Sequence, residues 1–208
     1  MMRIRIYFSK TDAMRFTGHL DLFRTLERTI RRAGLPLAYS KGFRPHPRIN
    51  LACALPLGFT SECEIVDIWL ESDLPLESIQ DALVTSSPPG IKIDRIEQVA
   101  HDLPALQASL VAADYLITFL DPVPHLYQEI EQLLGSTSLP RIRHGKMYDL
   151  RPLIQEIMPL PENSQTMQRI WVKLTAREGA MGRPDEVILA LGHNPQEARL
   201  HRIQLIFK

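Results

Sequence analysis

The order in which two hydrophobic periods alternate is the strongest constraint on how this chain can fold. Arg3-Ile4-Arg5-Ile6-Tyr7-Phe8 alternates at period two and reads as a strand. A helix follows, opening at Thr17 or Gly18 and stopping at Gly34, with Leu22, Phe23, Leu26, Ile30 and Ala33 on one face. Leu35–Ser40 is short and extended, and Arg48–Leu57 and Glu64–Leu70 are the next strands. Leu76–Thr85 is a short amphipathic helix closed by Ser87-Pro88-Pro89-Gly90, and Ile91–Val99 alternates again. The order β-α-β-β-α-β is that of the ferredoxin-like split motif.

The order then repeats. Tyr115–Leu120, Leu139–Arg143, Ile170–Ala176 and Leu200–Phe207 read as strands, and Pro124–Leu134 and Asp185–Leu191 as helices. Residues 144–168 do not fit the repeat and read as an insertion with a turn of helix near Leu150–Met158. The expectation is an α+β chain of two tandem ferredoxin-like domains, 1–100 and 113–208, joined by a linker over 101–112.

The formal net charge of zero conceals segregation. Residues 1–58 hold eleven Lys or Arg against three acids, whereas 59–100 hold two against nine. Such asymmetry points to a polyanion-binding face, unless the two segments simply neutralise each other. Arg24, Arg28 and Arg31 make a stripe at spacings of four and three, away from the apolar helix face.

Ser40-Lys41-Gly42-Phe43-Arg44-Pro45-His46-Pro47-Arg48 is the strongest local feature. Its prolines stiffen the backbone, and Gly42 permits close approach. Lys41, Arg44 and Arg48 suit phosphates, and Phe43 suits a base face. The alternative is a rigid connection with Phe43 in the core. His19 and His46 would form an acid–base pair for RNA cleavage if they meet; His19 equally suits a structural place at its helix start. Arg141-Ile142-Arg143-His144-Gly145-Lys146 and the loop Arg177–Pro184 are two further basic stretches, each also readable as a solvated turn.

Cys53 and Cys63 are the two cysteines, and they support neither a disulfide framework nor a zinc or iron–sulfur site. The chain carries no phosphate-binding P-loop, nucleotide fingerprint or nucleophile motif. No apolar run approaches the ~20 residues of a membrane span, and the N-terminus lacks a signal-peptide core. A cytoplasmic location is expected.

Gly18-His19-Leu20-Asp21 with Arg24, Arg31-Arg32-Ala33-Gly34-Leu35-Pro36, Ala38–Pro47 and Ala54-Leu55-Pro56-Leu57-Gly58 together resemble the radical-SAM-linked domain family of bacteria. Tyr148-Asp149-Leu150-Arg151 resembles its second motif, and Gly18 departs from the family's usual serine. That family has no known function and is found fused to, or encoded beside, B12-binding-type radical SAM proteins. The resemblance implies a radical SAM partner that would carry S-adenosylmethionine and an iron–sulfur cluster, with no cofactor or metal in this chain. The expectation is an RNA-binding module that presents RNA to that enzyme and is not a catalyst on its own. The nucleic-acid-binding residues would be Arg24, Arg28, Arg31, Lys41, Phe43, Arg44, His46 and Arg48. The alternatives are a metal-independent endoribonuclease using His19 and His46, and a protein-interaction domain that docks a radical SAM subunit without RNA.

Overall fold

The computed structural model describes residues 1–143, 145–161 and 167–208. The chain is mixed α+β and divides into two compact units, Met1–Leu110 and Val111–Lys208.

In the first unit β1 (Met2–Lys10) leads to α1 (His19–Arg32), β2 (Ile49–Leu51), β3 (Phe59–Leu70), α2 (Leu76–Ser86) and β4 (Ile91–Gln98). The strand order is β4-β1-β3-β2, and every neighbouring pair is antiparallel. Ile4, Ile6 and Phe8 of β1 are buried beneath Leu22, Leu26 and Ile30 of α1 and Ile79 and Leu83 of α2. Each of these side chains contributes roughly 1.5–3 kcal/mol by leaving water. The second expected strand is shorter than Arg48–Leu57 and the third starts earlier than Glu64, because residues 52–58 make a loop that closes at Gly58 in a left-handed conformation (φ 87°).

Two features of the first unit decide where its polar chemistry lies. First, α1 ends in a Schellman turn. Leu35 N–H donates to Ile30 O at 3.3 Å and Gly34 N–H to Arg31 O at 3.1 Å, with Gly34 at φ 67°. The turn sends the chain back along the C-terminal end of α1. Second, much of the basic surplus is used inside the unit. Asp67, fully buried, binds Arg3 at 2.6 Å and Arg5 at 2.8 Å. Buried Lys10 donates to Thr17 O at 2.8 Å and Phe59 O at 3.0 Å, and Arg15 donates to Gly58 O at 3.0 Å. Mutual neutralisation of the basic and acidic segments is therefore correct for β1 and β3.

The segment expected as a linker holds α3 (Leu106–Ser109), which closes the first unit, and the start of β5 (Leu110–Phe119), which opens the second. Next come α4 (Leu126–Gly135), β6 (Pro140–Arg143), β7 (Lys146–Asp149), β8 (Ile154–Leu160), β9 (Arg169–Arg177), β10 (Ala180–Met181), α5 (Pro184–Ala190) and β11 (Ala198–Phe207). β9 lies between β8 and β5, and β5 lies beside β11. Two sequence expectations are corrected here. Leu139–Arg143 is not a strand of the main sheet; β6 pairs with β7 in a separate hairpin. The helical turn near Leu150–Met158 is confined to a 3-10 turn, Arg151–Leu153, and the rest is β8. Ile154 and Ile157 anchor β8 in the core, and Pro159, which has no N–H for a ladder, is tolerated because β8 has β9 as its neighbour on one side. Part of the expected insertion, residues 162–166, and His144 lie outside the described residues. Among the described residues no helix is long and apolar enough to cross a membrane.

Candidate functional site

The Lys41–Arg48 segment is a loop pinned at its base. Tyr39 bridges Pro47, Ser40 N–H donates to His46 O at 2.8 Å, and His46 N–H donates to Ser40 Oγ at 2.9 Å. The Ser40 hydroxyl and the two prolines thus hold the neck, while Lys41, Gly42, Phe43, Arg44 and Pro45 at the tip are exposed. Gly42 has φ 131°, a conformation that side chains with a Cβ rarely adopt. Phe43 is not a core residue: it is 107% exposed. Fully solvating a phenyl ring at the tip of a braced loop forgoes roughly 1.5–3 kcal/mol of burial. The ring is surrounded in sequence by Lys41, Arg44 and His46.

The loop meets α1 at that helix's C-terminal end. Arg31 donates to Tyr39 Oη from Nε at 3.1 Å and from Nη2 at 2.7 Å, and its guanidinium lies 5.8 Å from the Tyr39 ring centroid. The arginine stripe therefore runs to the neck of the loop. Arg24, Arg28 and Arg31 are exposed, and Leu22, Leu26 and Ile30 are buried, as helical geometry requires. Arg24 pairs with Asp21 at 3.3 Å and Arg31 with Glu27 at 3.1 Å. Exposed pairs of this kind are screened by water, contribute little and yield easily to a polyanion. Among the described residues Arg28, Lys41 and Arg44 have no ion-pair partner. Arg48 is committed differently. Its guanidinium lies 4.8 Å from the Trp69 ring centroid, with Arg3 at 5.0 Å from the same ring.

His19 and His46 are not brought together. His46 sits at the end of the unit where Leu37 bridges Leu70 and Leu70 faces Met2. His19 follows Thr17, whose carbonyl is held by Lys10 at the opposite end of β1. Nine strand residues separate those ends by about 26 Å. The same answer comes from α1, where His19 precedes Arg31 by roughly 18 Å of helix.

Two basic stretches that look unrelated in sequence meet in the second unit. A cavity of about 470 Å³ is lined by Arg143, Lys146, Tyr148, Asp149 and Leu153 on one side and Gly179, Ala180 and Met181 on the other. The motif Tyr148-Asp149-Leu150-Arg151 builds the first wall. Asp149 Oδ1 accepts N–H bonds from Leu139 at 2.7 Å and Arg151 at 2.9 Å, which hold its carboxyl below the ordinary aspartate range. Leu150 is fully buried. Arg151 donates to Leu134 O at 3.1 Å and Ser136 O at 3.2 Å, closing the C-terminal end of α4. Tyr148 lines the cavity beside Asp149; burial pushes its phenol up, with the Glu186 carboxylate adding to the effect. The second wall is the turn before α5, with Gly179 at φ 77°. A Cβ on Gly182 would lie 3.1 Å from Leu174 Cβ and 3.3 Å from Leu153 Cβ, so a glycine there lets the turn close on the first wall. The legible signal was the pair of glycine-containing basic turns; their meeting depends on β8 and β9 pairing, which places Leu153 beside Gly182.

Among the described residues no group of three or more His, Cys, Asp or Glu is arranged to hold a metal ion. A family model described as an uncharacterized protein conserved in bacteria (DUF2344) matches residues 3–184. No curated protein matches. Among solved structures, a chain of a Cbf5-Nop10-Gar1 complex is similar with a TM-score of 0.48 and 13% identity, over 97% of this chain and 48% of that one. A chain of an archaeal box H/ACA sRNP Nop10-Cbf5 complex is similar with a TM-score of 0.44 and 13% identity, over 97% of this chain and 47% of that one. This chain thus spans under half the length of those chains, and likeness this remote transfers neither a fold nor an activity.

Proposed function

We propose that this chain, which belongs to that family of uncharacterized bacterial proteins, is an RNA-binding module that presents an unpaired stretch of RNA to a radical SAM enzyme. The observation that carries the RNA part is Phe43, 107% exposed at the tip of a pinned loop and flanked by Lys41, Arg44 and His46. A solvated aromatic amid unneutralised cations suits a base that stacks while its phosphates are held. The stripe of Arg24 and Arg28 leads from the loop and would track the backbone. Arg31 and Arg48 position the loop through Tyr39 and Trp69 and contribute field more than direct contact. The radical SAM partner rests on the sequence resemblance alone.

We also read both units as ferredoxin-like. In support, β2-β3-β1-β4 and β8-β9-β5-β11 are the same permutation of equivalent strands, with the β6–β7 hairpin inserted in the second.

Filter binding of single-stranded and duplex RNA oligonucleotides at a fixed low salt tests the function. Single strands should bind more tightly, and Phe43→Ala should remove most of that preference. Equal affinity for both forms in wild type and variant would overturn the stacking role. An absence of RNA affinity, together with capture of a radical SAM protein that Phe43→Ala abolishes, would instead make the loop a protein-docking device.

A further inference from the structure

The second unit's cavity brings two like charges together at one wall. Arg143 and Lys146 are directly opposite each other across β6 and β7. Like charges at facing positions of an antiparallel pair repel and destabilise it. Nearby arginines are neutralised: Arg183 pairs with Asp185 at 2.5 Å, and Arg141 lies 3.8 Å from Glu186. Among the described residues Arg143 and Lys146 have no ion-pair partner, and both line the cavity. Its carboxylate, Asp149, is already occupied by two backbone N–H groups.

The rest of the lining is of another character. Leu153, Ala180, Met181 and the Tyr148 ring make an apolar surface, and the Tyr148 hydroxyl is buried without a hydrogen-bond partner among the described residues. A volume of about 470 Å³ falls within the range of small-molecule sites. We propose that this cavity binds a small organic anion, its flat apolar body against Tyr148, Ala180 and Met181 and its phosphate or carboxylate between Arg143 and Lys146. The anion removes the cross-strand repulsion, and the apolar wall selects a molecule larger than the charged group itself. This site does not depend on the RNA reading, which rests on the first unit.

Calorimetric titration of the intact chain with adenosine 5′-monophosphate, 2-naphthoate and inorganic phosphate tests it. At least one of the two organic anions should bind with one-to-one stoichiometry, and which one does identifies the charged group. Inorganic phosphate should bind at least about tenfold more weakly, since it has no apolar body. Arg143→Gln and Lys146→Gln should each weaken binding about tenfold or more, the scale of a lost charge-assisted hydrogen bond. Met181→Asp, on the opposite wall, should abolish binding without touching the hairpin, and Phe43→Ala should leave binding unchanged. Failure of both organic anions to bind overturns the proposal. So does binding that survives unaltered in Arg143→Gln/Lys146→Gln and in Met181→Asp, or inorganic phosphate binding as tightly as either organic anion.

Discussion

On the reading of both units as ferredoxin-like, each carries an insertion at the same connection, and the two insertions differ in exposure. Between the first helix and the second core strand, the first unit inserts residues 33–48 and the second inserts residues 136–153. Both insertions are basic, both are glycine-containing, and both are braced at the neck by a side-chain oxygen accepting backbone N–H bonds, Ser40 in one and Asp149 in the other. In the first unit the loop stands open, with Phe43 in water. In the second, the turn carrying β10 lies against the hairpin and forms the other wall of an open pocket. On the proposed readings, the exposed loop suits a polymer and the walled pocket a small molecule.

Four substitutions break or sharpen that comparison. The largest effect belongs to the scaffold. Asp67→Ala leaves buried Arg3 without its counter-ion, held by the carbonyls of Leu103 and Pro104, and should destabilise the first unit by about 3–5 kcal/mol in urea denaturation. A loss under ~1 kcal/mol would mean that the charges of β1 are working charges like those of the loop, and the separation of scaffold from surface would collapse. Arg151→Ala removes the donor that closes α4, and should cost about 1–3 kcal/mol while leaving RNA affinity unchanged. Reduced RNA affinity in that variant would tie the two insertions together functionally.

Phe43→Ala should lower single-strand affinity by about 1–3 kcal/mol. Its denaturation midpoint should stay within about 0.5 kcal/mol of wild type, because the ring is packed against nothing. A destabilised Phe43→Ala would show that the open loop closes in solution, like its counterpart. The smallest effect concerns pH. Asp149 has its pKa depressed by the N–H groups of Leu139 and Arg151, so its contribution is complete above the ordinary aspartate range near pH ~4 and is lost as pH falls through the depressed value. Asp149→Asn should flatten the acid limb of the thermal melt and leave the slope near neutrality unaltered. An unchanged acid limb would show that the neck of the hairpin is held by something else.

Periodicity made much of this legible. The alternation in β1 and the apolar face of α1 gave both the element order of the first unit and the exposure of Arg24, Arg28 and Arg31. It failed where two structures share one pattern. Pro140–Arg143 alternates equally well in a main sheet and in a two-stranded hairpin, and β8 was masked by Pro152 and Pro159, which argue against a strand unless that strand lies at an edge. The charge count located the basic segment but not its use. Arg3, Arg5 and Lys10 are counted with Lys41 and Arg44, yet Asp67 and the carbonyls of Thr17 and Phe59 consume them. Whether His19 and His46 meet, which the sequence leaves open, turned on which end of α1 the returning chain reaches. The Schellman turn at Gly34 and the Arg31–Tyr39 contact settle that for the C-terminal end, and the contact joins residues that no local pattern relates.

The central claim, that the open loop holds a single strand through unneutralised cations, is tested most directly by the salt dependence of RNA binding. Binding constants for a single-stranded oligonucleotide are measured from about 50 to 200 mM salt for wild type and for Lys41→Gln/Arg44→Gln. Each phosphate contact contributes a slope of about −0.7 for single strands, so the double variant should be shallower by about 1.4 while its melt stays unchanged. Identical slopes in the two proteins, or a wild-type affinity indifferent to salt, would contradict the account.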